Sequence, residues 1–108
     1  MGVIQMLRRD LHQSRVSKKY AAVERAIKAK ARVASDFEYN STMRKFYDER
    51  VDEIDPHSDW WAFAEAKQKQ HDHRNAEDHY AQRLRECVAK VESNKKAFLA
   101  AQKEMSNA

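Results

Sequence analysis

Between Trp60 and Met105 the chain repeats one spacing without interruption. Taken alternately in steps of three and four, it runs Phe63, Ala66, Gln70, His73, Glu77, Tyr80, Leu84, Cys87, Val91, Asn94, Phe98, Ala101 and Met105. A stripe of that period belongs to a helix that lays one face against a partner helix. It is apolar at both ends and polar in the middle, and neither Gly nor Pro interrupts it. As one helix, over about 59–105, it would span roughly 68 Å at ~1.5 Å per residue.

The same shortage of helix breakers holds throughout. The 108 residues contain one Gly and one Pro, too few for the turns of a sheet protein. Charged residues make up 35% and mean hydropathy is −0.98, which leaves a thin core for a single chain of this length. The composition therefore predicts a single all-α domain over 1–108 that completes its core with a partner, and a homo-oligomer is expected.

Upstream, Val16, Tyr20, Val23, Ile27 and Ala34 repeat at helical spacing, with Lys18, Lys19, Arg25, Lys28 and Arg32 on the other side. This predicts a helix over about 3–34, with Ser14 or Ser17 as a cap that would interrupt it near 12–17. Ser35-Asp36-Phe37-Glu38 has the S-x-x-E form of a capping box. The apolar phase also slips there, to Tyr39, Met43, Phe46, Tyr47, Arg50 and Ile54. A second helix is thus expected over about 36–54, with a mild stutter in one continuous helix as the competing reading. Residues 55–58 form the turn: Pro56 disfavours helix at Asp55, and Ser58 or Asp59 can cap the long helix beyond it. So short a turn makes its flanking helices antiparallel, with Phe63 near Glu49 and His73 near Tyr39. The expected fold is a three-helix bundle or a long antiparallel helical hairpin with an extended C-terminal helix. The width of the apolar surface, with Val88 and Leu99 beside the stripe, favours three helices.

The histidine-rich stretch Lys67–His79 raises the question of a metal. On a helix His71 and His73 stand about 200° apart and cannot share an ion. The pairs His73 with Glu77 and Asn75 with His79 do not reproduce the helical metal motifs. No metal and no cofactor are expected. Gln70, His73 and Glu77 read better as polar residues that set register, or as a partner contact. Trp60 and Trp61 are about 100° apart, so one is expected in the core near Tyr47 and Ile54 and the other at an interface. The candidate partner-binding residues are Trp60, Trp61, Phe63, His73 and Glu77.

Charge is unevenly spread. Residues 1–34 carry nine Lys/Arg and two acids, a net +7, whereas residues 35–59 carry three and eight, a net −5. Lys18, Lys19, Arg25, Lys28, Lys30 and Arg32 are candidate nucleic-acid contacts, although no DNA- or RNA-binding motif accompanies them. Pairing with the chain's own acidic stretch is the competing reading.

Catalytic motifs are missing: one Gly rules out a phosphate loop or nucleophile elbow, and Cys87 lies on the apolar stripe. No secretory signal or transmembrane stretch is read, so the expected setting is the cytoplasm. The function expected is non-enzymatic: protein–protein interaction or assembly, of the accessory, inhibitor or scaffold type found in bacteria and their phages. Nucleic-acid binding is the alternative, and membrane association is not expected.

Overall fold

The structure is a computed structural model that describes residues 2–107. It contains two helices, α1 (Val3–Glu53) and α2 (Trp60–Asn107), and no strand among the described residues. The all-α expectation therefore holds, but the three-helix bundle does not. α1 passes through both expected interruptions, 12–17 and Ser35, without a break.

The reason lies in which residues α1 turns inward. Its buried and half-covered positions include His12, Val16, Lys19, Val23, Ala26, Lys30, Val33, Phe37, Asn40, Arg44, Tyr47 and Val51, and Ile54 continues the series just past its end. These follow steps of three and four without a slip, as heptad positions a and d do. The apparent change of phase at Ser35 came from counting Tyr20, Ile27, Tyr39 and Phe46, all of which are solvent-exposed. With the stripe in phase on both sides of Ser35, a break there would bring no gain in packing. No Gly or Pro lies within α1 to force one. In α2 the least exposed stripe is the one read from the sequence, Phe63 through Ala101.

The connector is built by two aspartates. The Asp55 carbonyl accepts the amides of Ser58 (3.1 Å) and Asp59 (3.0 Å). Its carboxylate accepts the His57 amide (2.9 Å) and the Ser58 hydroxyl (3.0 Å). Asp59 then caps α2, its side chain accepting the Ala62 amide at 3.0 Å. Asp59 takes the capping role, and Ser58 instead holds the turn.

Contacts gather the chain into two compact units: residues 1–31 with 86–108, and residues 32–85. In each, a piece of α1 packs antiparallel to a piece of α2. In the first unit Tyr20 meets Phe98 (ring centroids 5.6 Å) and Arg15 pairs with Glu104 at 2.8 Å. In the second, His73 meets Tyr39 (6.0 Å), as expected from the turn. The buried apolar residues are all Val or Ala: Val23, Ala26, Val91 and Ala101 in the first unit, Val33, Val51 and Ala66 in the second.

Continuity at residue 35 is testable. Ser35 is exposed in mid-helix, so Ser35→Ala should raise stability by about 0.5 kcal/mol through helix propensity. A capping serine would instead cost about 1 kcal/mol when removed. Chemical denaturation separates the two signs.

Candidate interaction surfaces

The second unit holds a polar layer where an apolar one would be expected. Arg44 of α1 stands on the stripe, and its Nε donates to both carboxylate oxygens of Glu77, at 3.0 and 2.9 Å. Its Nη1 donates to Asp48 at 2.8 Å, one turn on in the same helix. Asp48 also accepts from the Gln70 amide (2.7 Å) and lies 3.6 Å from the Arg74 guanidinium. A charge in so narrow a seam needs its partners within reach, and Arg44 has two.

The protonation states reflect these contacts. The Arg44 pKa is raised, chiefly by its hydrogen bond to Glu77. The Asp48 carboxyl is lowered, first by the bond from Gln70 and then by Arg44. For Glu77 burial pushes upward most strongly, but the bonds from Arg44 and Ser41 and the charges of Arg44 and Lys45 together outweigh it, and the net shift is downward.

Beside this layer lies a second one. Asn40 is the one buried polar residue among the described ones. Its Nδ2 donates to the Asp36 carbonyl (2.9 Å), which turns its Oδ1 toward His73 Nδ1 at 3.0 Å. The nitrogen facing Oδ1 must therefore carry the proton. The His73 ring stacks on Tyr47, 5.6 Å apart and 7° from parallel. The Lys69 ammonium lies 5.7 Å from the centroid of the same tyrosine ring.

The expected partner-binding residues thus divide. His73 and Glu77 direct their polar atoms into the helix pair. Phe63 is half-buried, with Trp60 beside it at 5.9 Å between ring centroids. Trp60 and Trp61 are both outward, 59% and 83% exposed. Neither occupies the core near Tyr47 and Ile54, because the inward stripe of α2 begins at Phe63 and both tryptophans precede it. Reading the sequence missed Asn40, Arg44 and Asp48. Steps of three and four from Val33 and Phe37 would have placed Asn40 and Arg44 on the stripe.

The basic residues divide as well. In the first unit Lys18, Arg25 and Lys28 are exposed, and none forms an ion pair among the described residues. Lys19 and Lys30 fall on the inward stripe, half-covered, so they do not share that open face. Arg32, at the start of the second unit, is exposed. Arg25 and Lys90 flank a groove of about 390 Å³ in the first unit, floored by Ala22, Ala26 and Ala29 with Cys87. Among the described residues no three His, Cys, Asp or Glu side chains gather as a metal site, and no helix is long and apolar enough to cross a membrane.

Because Asp48 and Glu77 have lowered folded-state pKa values, the stability they contribute is complete above the ordinary carboxylate range. It is lost as pH falls through about 4.5 and below. Arg44→Leu should lower the melting temperature at pH 7 and flatten its fall between about pH 5 and pH 3, read by thermal melts monitored by circular dichroism. Trp61→Ala should shift unfolding free energy by less than about 0.5 kcal/mol. Comparison with known proteins brings no match: no family model, curated protein or solved structure corresponds to the chain, and these surfaces are read from their own geometry.

Proposed function

We propose that this chain is a non-enzymatic interaction or assembly protein, of accessory, inhibitor or scaffold type, working in the cytoplasm through its helical surfaces. The observation that carries this reading is an inversion of the usual pattern. The buried side chains are valines and alanines, while Trp60, Trp61, Tyr20, Ile27, Tyr39, Phe46 and Leu99 face solvent. Large aromatic and aliphatic groups contribute most to protein interfaces once covered, and Trp and Tyr are enriched among the residues that dominate binding. Their cost in water is accepted where a partner covers them. A protein partner, including further copies of the chain, suits such a surface.

Nucleic-acid binding is the second reading. It is favoured by Lys18, Arg25 and Lys28, exposed and without ion-pair partners in a unit whose residues sum to +7. Phosphates attract such a row whatever the base sequence, and the attraction falls steeply with salt.

Light scattering at low and high salt, with and without duplex DNA, decides between them. Assembly through apolar surfaces should give a dimer or larger species whose mass is indifferent to salt and DNA. A monomer that gains mass only with DNA, only at low salt, and loses that response in the Lys28→Glu/Arg32→Glu double variant would overturn the assembly reading.

A further inference from the structure

The unit formed by residues 1–31 and 86–108 has two unlike sides. The Arg15–Glu104 pair and the groove between Ala22, Ala26, Cys87 and Lys90 mark one side, where the g positions of both helices border the seam. The e positions therefore border the other side, where Tyr20 lies against Phe98. On the g side and the outer positions behind it, eight Lys/Arg stand against Glu86 and Glu104. On the e side, with the b positions next to it, the charges are Asp10, Glu24, Glu92 and Lys95. Lys95 lies 4.0 Å from Glu92. The exposed large side chains there include Met6, Tyr20, Ile27, Val88 and Leu99, each between 41% and 59% exposed, whereas on the cationic side they are Ile4, Leu7 and Leu11, gathered at the start of α1.

We propose that this apolar side binds the same side of a second copy about a two-fold axis, so that two helix pairs close into a four-helix arrangement. This rests on the reading of the chain as an assembly protein and names its surface. Two observations select a second copy. The first is charge. An acidic protein or a nucleic acid would be drawn to the strongly cationic side. Two copies would repel each other there, whereas the apolar side has few charges and those are of mixed sign. The second is the core. Among the described residues Val23, Ala26, Val91 and Ala101 are the only apolar ones this unit covers fully, little against roughly 1.5 kcal/mol of conformational entropy per ordered residue. A two-fold interface supplies the missing burial from the same residues on both subunits, and it closes rather than growing into a fibre.

Sedimentation equilibrium on the full chain, at low and high salt, tests this. The wild type should be a dimer indifferent to salt. Leu99→Gln and Ile27→Gln should each weaken dimerisation at least about tenfold, and Lys18→Glu on the cationic side should leave it unchanged. Should the variants lose helicity, hydroxyl-radical footprinting of the wild type gives an independent reading. Tyr20 and Leu99 should be protected at dimeric concentrations and Trp61 should not. An oligomer whose affinity ignores Leu99→Gln, or which protects Trp61 in place of Tyr20, overturns this surface while leaving the assembly reading intact. A monomer at every concentration overturns self-association altogether and leaves only a different protein as the partner.

Discussion

Two helices whose fully buried apolar residues are only valines and alanines have little in their core to fix an alignment. The larger residues of the stripes, among them Phe37, Tyr47, Phe63 and Phe98, are half-covered, so their shape holds the register less firmly than a closed core would. What removes that freedom in the second unit is the polar layer. Arg44 reaches both Asp48 and Glu77, and Gln70 reaches Asp48. Moved by a heptad, about 10.5 Å along the helix, Arg44 would face Gln70 or Leu84 in place of Glu77, and Asp48 would lose Gln70. The half-covered Glu77 would then lose its cation, while Asp48, one turn from Arg44 in the same helix, would keep its own. A buried polar group contributes less by adding stability than by making every other alignment worse. Asn40 and His73 act in the same sense, since a shifted seam would leave the buried Asn40 without the ring that answers its Oδ1.

The small inward residues explain the rest of the surface. A helix pair presents one narrow stripe per helix, and here its fully buried positions are filled by Val, Ala and Asn40. The large apolar side chains are left at the flanking and outer positions. They cluster differently in the two units. Around the connector Trp60 and Trp61 lead into α2. In the other unit Tyr20, Ile27, Val88 and Leu99 run beside the seam. The inward groups of comparable size, among them Phe37, Tyr47, Phe63, Leu84 and Phe98, are only half-covered.

Much of this was legible in the residues, and the misreadings have a common cause. The α2 stripe could be traced because Phe63 and Ala66 anchor one end and Val91 to Ala101 the other. The polar residues between them then had to fall in line. The α1 stripe lacks such anchors. Lys19, Lys30, Asn40 and Arg44 sit on it, while Tyr20, Ile27, Tyr39 and Phe46 sit off it. A reading that tracks the bulkiest apolar residues is led onto the solvent faces and registers a slip at Ser35 that the backbone does not have. The capping-box letters of Ser35 and Glu38 reinforced that slip. A capping box gains only where a helix has free amides to satisfy, and mid-helix amides are already bonded. Exposure of both tryptophans was hidden for a related reason: where the inward stripe starts depends on the partner helix. The connector, by contrast, was readable, because Pro56 and two aspartates act locally.

The cationic row and the apolar side do not compete for the same surface. Lys19 and Lys30, which the sequence grouped with the open basic residues, are turned toward the seam. Half-covered there, they are less open to an outside anion than Lys18, Arg25 and Lys28. What remains outward, Lys18, Arg25 and Lys28, lies on the side of the first unit away from Tyr20, Ile27, Val88 and Leu99. Joining two copies through the apolar side would leave both cationic rows exposed on opposite outer surfaces, doubling the positive field without bringing like charges into contact. Pairing would then strengthen any attraction to an anionic partner, because two rows held in one particle act together. Assembly comes first in that order, since the apolar side is the one whose exposure water opposes.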